Sequence, residues 1–109
     1  MAEPTLTAVF GPNAVQDADT LTISKTDLAT VGLTPAANNR AEALLAAIVR
    51  LAEGTLTTTA QETNPDQSIT IEDGFPSLVD KNGTAYRRNQ KTIAFDKLDT
   101  QSSIDPDDY

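Results

Sequence analysis

The sequence predicts an α+β fold: a single helix packed on a mostly antiparallel four-stranded sheet, ordered β-β-α-β-β, with extended termini. Three observations predict it. Four short stretches alternate apolar and small polar residues with period two, as a strand with one buried face does. One central segment repeats apolar residues at helical spacing between a start and a stop signal. The 109 residues contain no cysteine and suit one modest core without staples.

The first predicted strand is Thr5–Phe10, pointing Leu6, Ala8 and Phe10 to one side. The second is Thr20–Ser24, with Leu21 and Ile23 inward. The third is Ser68–Glu72 and the fourth Lys91–Asp96, with Ile93 and Phe95 inward. Threonine recurs on the opposite face of each, and a β-branched polar residue suits the wet side of a sheet. The three phenylalanines, Phe10, Phe75 and Phe95, all fall at predicted core positions.

Between the second and third strands, Thr34-Pro35 reads as a helix N-cap followed by proline at the first helical position. Gly54 reads as a left-handed stop. Within those limits Ala37, Ala41, Leu44, Leu45, Ile48, Leu51 and Ala52 form the apolar stripe. The middle of this helix, Ala43–Val49, is apolar all round. Either small alanines are tolerated at solvent, or Ala46 and Val49 pack against a neighbouring subunit. The threonine-rich stretch Thr55–Thr63 reads as extended or loop.

Turn chemistry is strongest at Asp80-Lys81-Asn82-Gly83, which predicts a hairpin joining Ser77–Val79 to Thr84–Tyr86. Beyond it the alternation changes phase, because Tyr86 is an even position while Ile93 and Phe95 are odd. A β-bulge or break near Asn89-Gln90 restores the pattern.

Charge is segregated along the chain. Residues 1–79 carry net −7, residues 80–98 net +3 and residues 99–109 net −4, for −8 in all. One basic hairpin bearing Arg87, Arg88 and Lys91 therefore lies between an acidic body and an acidic tail. Either these cations guard an edge strand against aggregation, or they form an assembly surface for a neighbour's acidic patch. The expected organisation is one domain over 1–98 and an acidic arm over 99–109. Ile104 and Tyr109 anchor that arm on an adjacent subunit.

Composition removes much chemistry. Without histidine or cysteine the chain lacks the usual acid–base group, thiolate nucleophiles and the common soft metal ligands. The acidic groups Asp17/Asp19, Glu72-Asp73 and Asp105-Pro106-Asp107-Asp108 lack the ligand order of a calcium loop and read as solvated carboxylates. No glycine loop for phosphate and no nucleophile elbow is present. The expectation is a non-enzyme with no catalytic residue, cofactor or metal. Net negative charge argues against nucleic acid as a partner, and no segment reads as membrane-spanning or secretory.

Four segments carry a resemblance: Leu21-Thr22-Ile23-Ser24-Lys25, Ala41-Glu42-Ala43-Leu44-Leu45, Ser68-Ile69-Thr70-Ile71-Glu72 and Ile104-Asp105-Pro106-Asp107-Asp108-Tyr109. In size and style the chain resembles small structural proteins of tailed bacteriophages and prophages, of cyanobacterial type. That resemblance implies a capsid-decorating or tail component located in the virion. Its partners would be other copies of itself and a capsid or tail protein. The alternative is a small bacterial protein-binding module in the cytoplasm.

Overall fold

The computed structural model describes residues 3–97, 104 and 106–109. The fold is α+β, built from short helices and antiparallel strands, but the strands form three two-stranded sheets where a single four-stranded sheet was predicted. In chain order the elements are α1 (Leu6–Phe10), β1 (Val15–Gln16), β2 (Leu21–Thr22), α2 (Lys25–Leu28) and α3 (Ala41–Glu53). They continue with α4 (Thr58–Thr63), β3 (Ile69–Asp73), β4 (Ser77–Lys81), β5 (Thr84–Arg88) and β6 (Lys91–Phe95). Short 3-10 turns occupy Ala29–Val31 and Pro106–Asp108.

The predicted first strand is a helix. Thr5 caps it, its side chain accepting from Ala8 N at 3.1 Å. Five residues are too few to separate the two periods, because Leu6, Ala8 and Phe10 fit a strand while Leu6, Val9 and Phe10 fit a helix face. The helix wins because it delivers Val9 to the core. The predicted second strand shrinks to Leu21–Thr22, paired with Val15–Gln16, and Leu21 is exposed rather than inward. Ser24 ends it by capping α2 through Thr26 N, with Asp27 in the first turn.

The central helix begins at Ala41, six residues beyond Pro35. Asn39 is the reason: its amide donates to Thr34 O and its carbonyl accepts from Ala36 N, closing a side-chain turn that competes with helix. Its far end is also corrected. Gly54 is right-handed at φ −63°, and Leu56 N continues the turn onto Ala52 O at 3.0 Å. That turn swings Leu56 inward. Thr57 then caps α4 by accepting from Ala60 N, so part of the stretch read as extended or loop is helical.

The core is small. Ala52, Leu56 and Ile71 are buried together, with Val9, Val49 and Ile69 packed against them. Ile71 N donates to Leu56 O at 2.8 Å, covering the edge of β3 that β6 leaves open. A buried Gln67 ties α4 to this sheet: its side-chain nitrogen donates to Thr57 O and Ile69 O, while its backbone carbonyl accepts from Gln61 Nε2. At the opposite end, Asp27 is 4% exposed and receives both Asn13 N and Asn13 Nδ2 at 2.9 Å. Gly11 lies against it at φ +104°, where an added Cβ would come within 2.5 Å of Asp27 Oδ2. Only glycine fits there.

Candidate interaction surface

β3 to β6 form one long antiparallel arm with a step in the middle. At its base, β3 pairs with β6 from Ile69↔Phe95 to Asp73↔Lys91. At its tip, β4 pairs with β5 from Ser77↔Arg88 to Lys81↔Thr84. Between the two ladders one leg has the three residues Gly74, Phe75 and Pro76, the other only Asn89 and Gln90. The expected break at Asn89-Gln90 is present, with the extra residue on the facing leg. Gly74 N bonds Gln90 O at 2.8 Å across the step, and Phe75, far from the predicted core, is 92% exposed.

The tip is a ribbon with no core beneath it. Asn82 and Gly83 make its turn with φ of 53° and 81°, the pair of positive values a two-residue hairpin turn requires. Every residue of β5 is exposed, and in β4 only Val79 is half-buried. Among the described residues neither strand pairs with any third one, so both backbone edges stay open. The radius of gyration, 16.2 Å, exceeds the ~13 Å of a fully compact chain of this length, and the ribbon contributes to that excess.

Alternation sorts the ribbon's side chains. One face carries Leu78, Asp80, Ala85 and Arg87. The other carries Ser77, Val79, Lys81, Thr84, Tyr86 and Arg88. On this second face Val79 pairs with Tyr86, and Lys81 Nζ sits 5.2 Å from the Tyr86 ring centre. Leu78 is 70% and Tyr86 48% exposed. Isolated two-stranded ribbons are marginally stable in water, and apolar exposure of this density commonly marks a contact surface.

The structure brings together only some of the expected contact residues. Arg87 and Arg88 lie on the ribbon but on opposite faces. Lys91 is not on it. It stands at the base, where Glu53 at 2.7 Å and Asp73 both hold its ammonium. Those bonds, to Asp73 first and Glu53 second, raise its pKa above the ordinary lysine value. Together the two bonds make Lys91 a clasp between α3 and the arm. The clasp lines an open groove of about 550 Å³ between Arg50 and the step.

Val49 is corrected too, since it packs into the chain's own core, while Ala46 is exposed beside Leu45 on the outer side of α3. In the arm, Ile104 is exposed, but Tyr109 packs edge-on against Phe95 of its own chain with ring centres 5.6 Å apart. Within its own chain the Tyr109 ring thus meets a strand residue that stays partly exposed. The remainder of the expected arm, residues 99–103 and 105, lies outside the described residues.

Sequence reasoning missed the exposed carboxylates of the β1–β2 hairpin as part of an ordered surface. Asp17 Oδ1 accepts from Asp19 N, Thr20 N and the Thr20 hydroxyl, closing the loop. These bonds, Asp19 N foremost, hold the Asp17 carboxyl below the usual carboxylate range. Aspartate followed by Thr20 three residues later was the available signal.

Comparison with known proteins found no matching family model, no matching curated protein and no matching solved structure.

Proposed function

We propose that this chain is a non-catalytic structural protein of a viral or phage-like particle, a capsid cement, decoration or tail component that works through subunit contacts. The observation that carries this reading is the β4–β5 ribbon. It holds Leu78 and Tyr86 in water, with Phe75 exposed in the step beside it, and leaves two strand edges open, an arrangement of little use to an isolated monomer. Contacts of this kind join subunits through repeated use of one surface.

Sedimentation velocity on the purified chain tests it. The parent should sediment above the mass of one 11.6 kDa chain. Paired substitution of Leu78→Ser and Tyr86→Ser should return it to monomer with the fold intact. A parent that stays monomeric at every concentration overturns the structural-protein reading. It would favour the second one, a small bacterial binding module, for which the open ribbon edge would add a strand to a different partner.

A further inference from the structure

We propose that the Tyr86 face of the β4–β5 ribbon docks head to tail on the acidic β1–β2 hairpin of a second copy of this chain. The inference rests on the structural-protein reading and names the surface that receives the ribbon.

The two faces of the ribbon differ in charge. Lys81 and Arg88 share one with Val79 and Tyr86 and with no acidic residue, whereas Arg87 shares the other with Asp80. Only the first is uniformly basic. It is also organised, because Lys81 is held over the Tyr86 ring. Two such ribbons would repel one another, so ribbon-on-ribbon pairing is disfavoured. Three cations against a chain of net −8 also make a poor nucleic-acid surface.

The receiving surface must be acidic, apolar and reachable, and β1–β2 is all three. Val15 and Leu21 are 59% and 51% exposed, Asp17 and Asp19 are exposed between them, and no basic residue lies from 12 to 24. Of the other exposed apolar residues, Leu45 lies on a helix whose acidic and basic groups balance, Ile93 and Phe95 lie on β6 beside Lys91 and Lys97, and Ile104 stands alone without a strand partner among the described residues. Two cations on the donor face meet two carboxylates on the receiver. Val15 and Leu21 lie on opposite faces of the hairpin, so Tyr86 and Val79 cover one of the two.

The donor and receiver surfaces are different, so each copy offers one of each and the contact repeats into a ring or filament. A five-residue ribbon is ~17 Å long and ~10 Å across. One face thus offers on the order of a few hundred Å², well short of the ~800 Å² per partner of a stable interface. A single contact is weak, and repetition supplies the hold.

The test mixes isotopically light and heavy protein, treats it with a zero-length carbodiimide and maps cross-links between light and heavy copies. Lys81 should join Asp17 or Asp19 of the other copy. In parallel, association is measured for charge reversals. The pair Lys81→Glu and Arg88→Glu should weaken it about tenfold, as should Asp19→Lys, while Arg87→Glu should change it less than about twofold. Asp19 is chosen because the Asp17 side chain builds the loop. If the parent assembles but Arg87→Glu is as damaging as Arg88→Glu, or the cross-links fall elsewhere, the proposed contact is wrong while the structural-protein reading stands. A monomeric parent overturns both.

Discussion

The chain holds two regions built from the same kinds of residue and put to opposite uses. Around Ile71 the arm's base has one edge covered by Leu56, one face covered by α3 and α4, and a buried glutamine binding the layers. Past the step at Gly74–Pro76, a ribbon of equal strand length has nothing beneath it. Leu56 and Leu78 are the same residue type, yet one is buried and the other stands in water. The difference teaches that pairing alone does not make a core. A ladder becomes stable structure only where another layer removes its apolar side chains from solvent.

The sharpest way to break this comparison uses two of the three glycines with positive φ, one against buried Asp27 in the packed body and one in the ribbon turn. Gly11→Ala forces a Cβ into the buried Asp27 side chain and a left-handed φ onto alanine. We expect about 4 kcal/mol of lost stability, seen as a collapse of the thermal transition. The Leu pair comes next. Leu56→Ala should cost about 2–3 kcal/mol in denaturant titration, the low side for a core leucine because the cluster is small. Leu78→Ala should stay within about 0.5 kcal/mol. A loss of similar size at Leu78 would mean that the ribbon is packed after all. Hydrogen exchange offers the same contrast directly: Ile71 NH, bonded to Leu56 O, should exchange near the global unfolding limit, and the ribbon amides far faster.

Gly83→Ala is the milder counterpart of Gly11→Ala. It meets no atom within 4 Å and bears only the strain of φ +81°. The expected cost, about 1 kcal/mol, falls on the ribbon turn, leaving the main thermal transition in place. The smallest effect concerns the clasp where the two regions join. The Lys91 pKa is raised in the folded chain, so its contribution is fully present below the ordinary lysine pKa. It should fade as pH rises through the folded value. Lys91→Met should abolish that alkaline dependence while changing neutral-pH melting little, since part-exposed pairs contribute on the order of 0–1 kcal/mol. An unchanged alkaline slope in the variant would remove Lys91 as its source.

Much of the arm was legible from residues 68–96. The alternation in Ile69–Glu72 and Lys91–Phe95 placed both base strands, Asn82-Gly83 placed the tip, and the clash of odd and even positions located the break. What could not be read was which half would be covered. Phe75 and Phe95 look equally apolar in sequence, yet the first is 92% exposed and the second 43%, with Tyr109 edge-on against it; Ile93, expected inward, is exposed too because no described helix covers β6. Among the expected contact residues, Arg87 and Arg88 were found where the turn placed them. The packing of Val49 against the Ala52, Leu56 and Ile71 cluster and the bond from Lys91 to Glu53 were not legible, because both join segments far apart in the chain.

By itself the sequence determined the α+β class, the body of α3, the arm's turn and its break, and the separation of basic from acidic segments. Each of these depends on interactions within a few residues, or on a period sustained long enough to be unambiguous. Tertiary structure decided the rest. It made Leu6–Phe10 a helix, where the Thr55 hydroxyl bonds Ala8 O across 47 positions at 2.6 Å. It also left three two-stranded sheets where one of four strands was predicted, and of the arm's strands only β3 holds buried residues. A short run fits either period, and the burial that breaks the tie comes from parts of the chain that no local pattern contains.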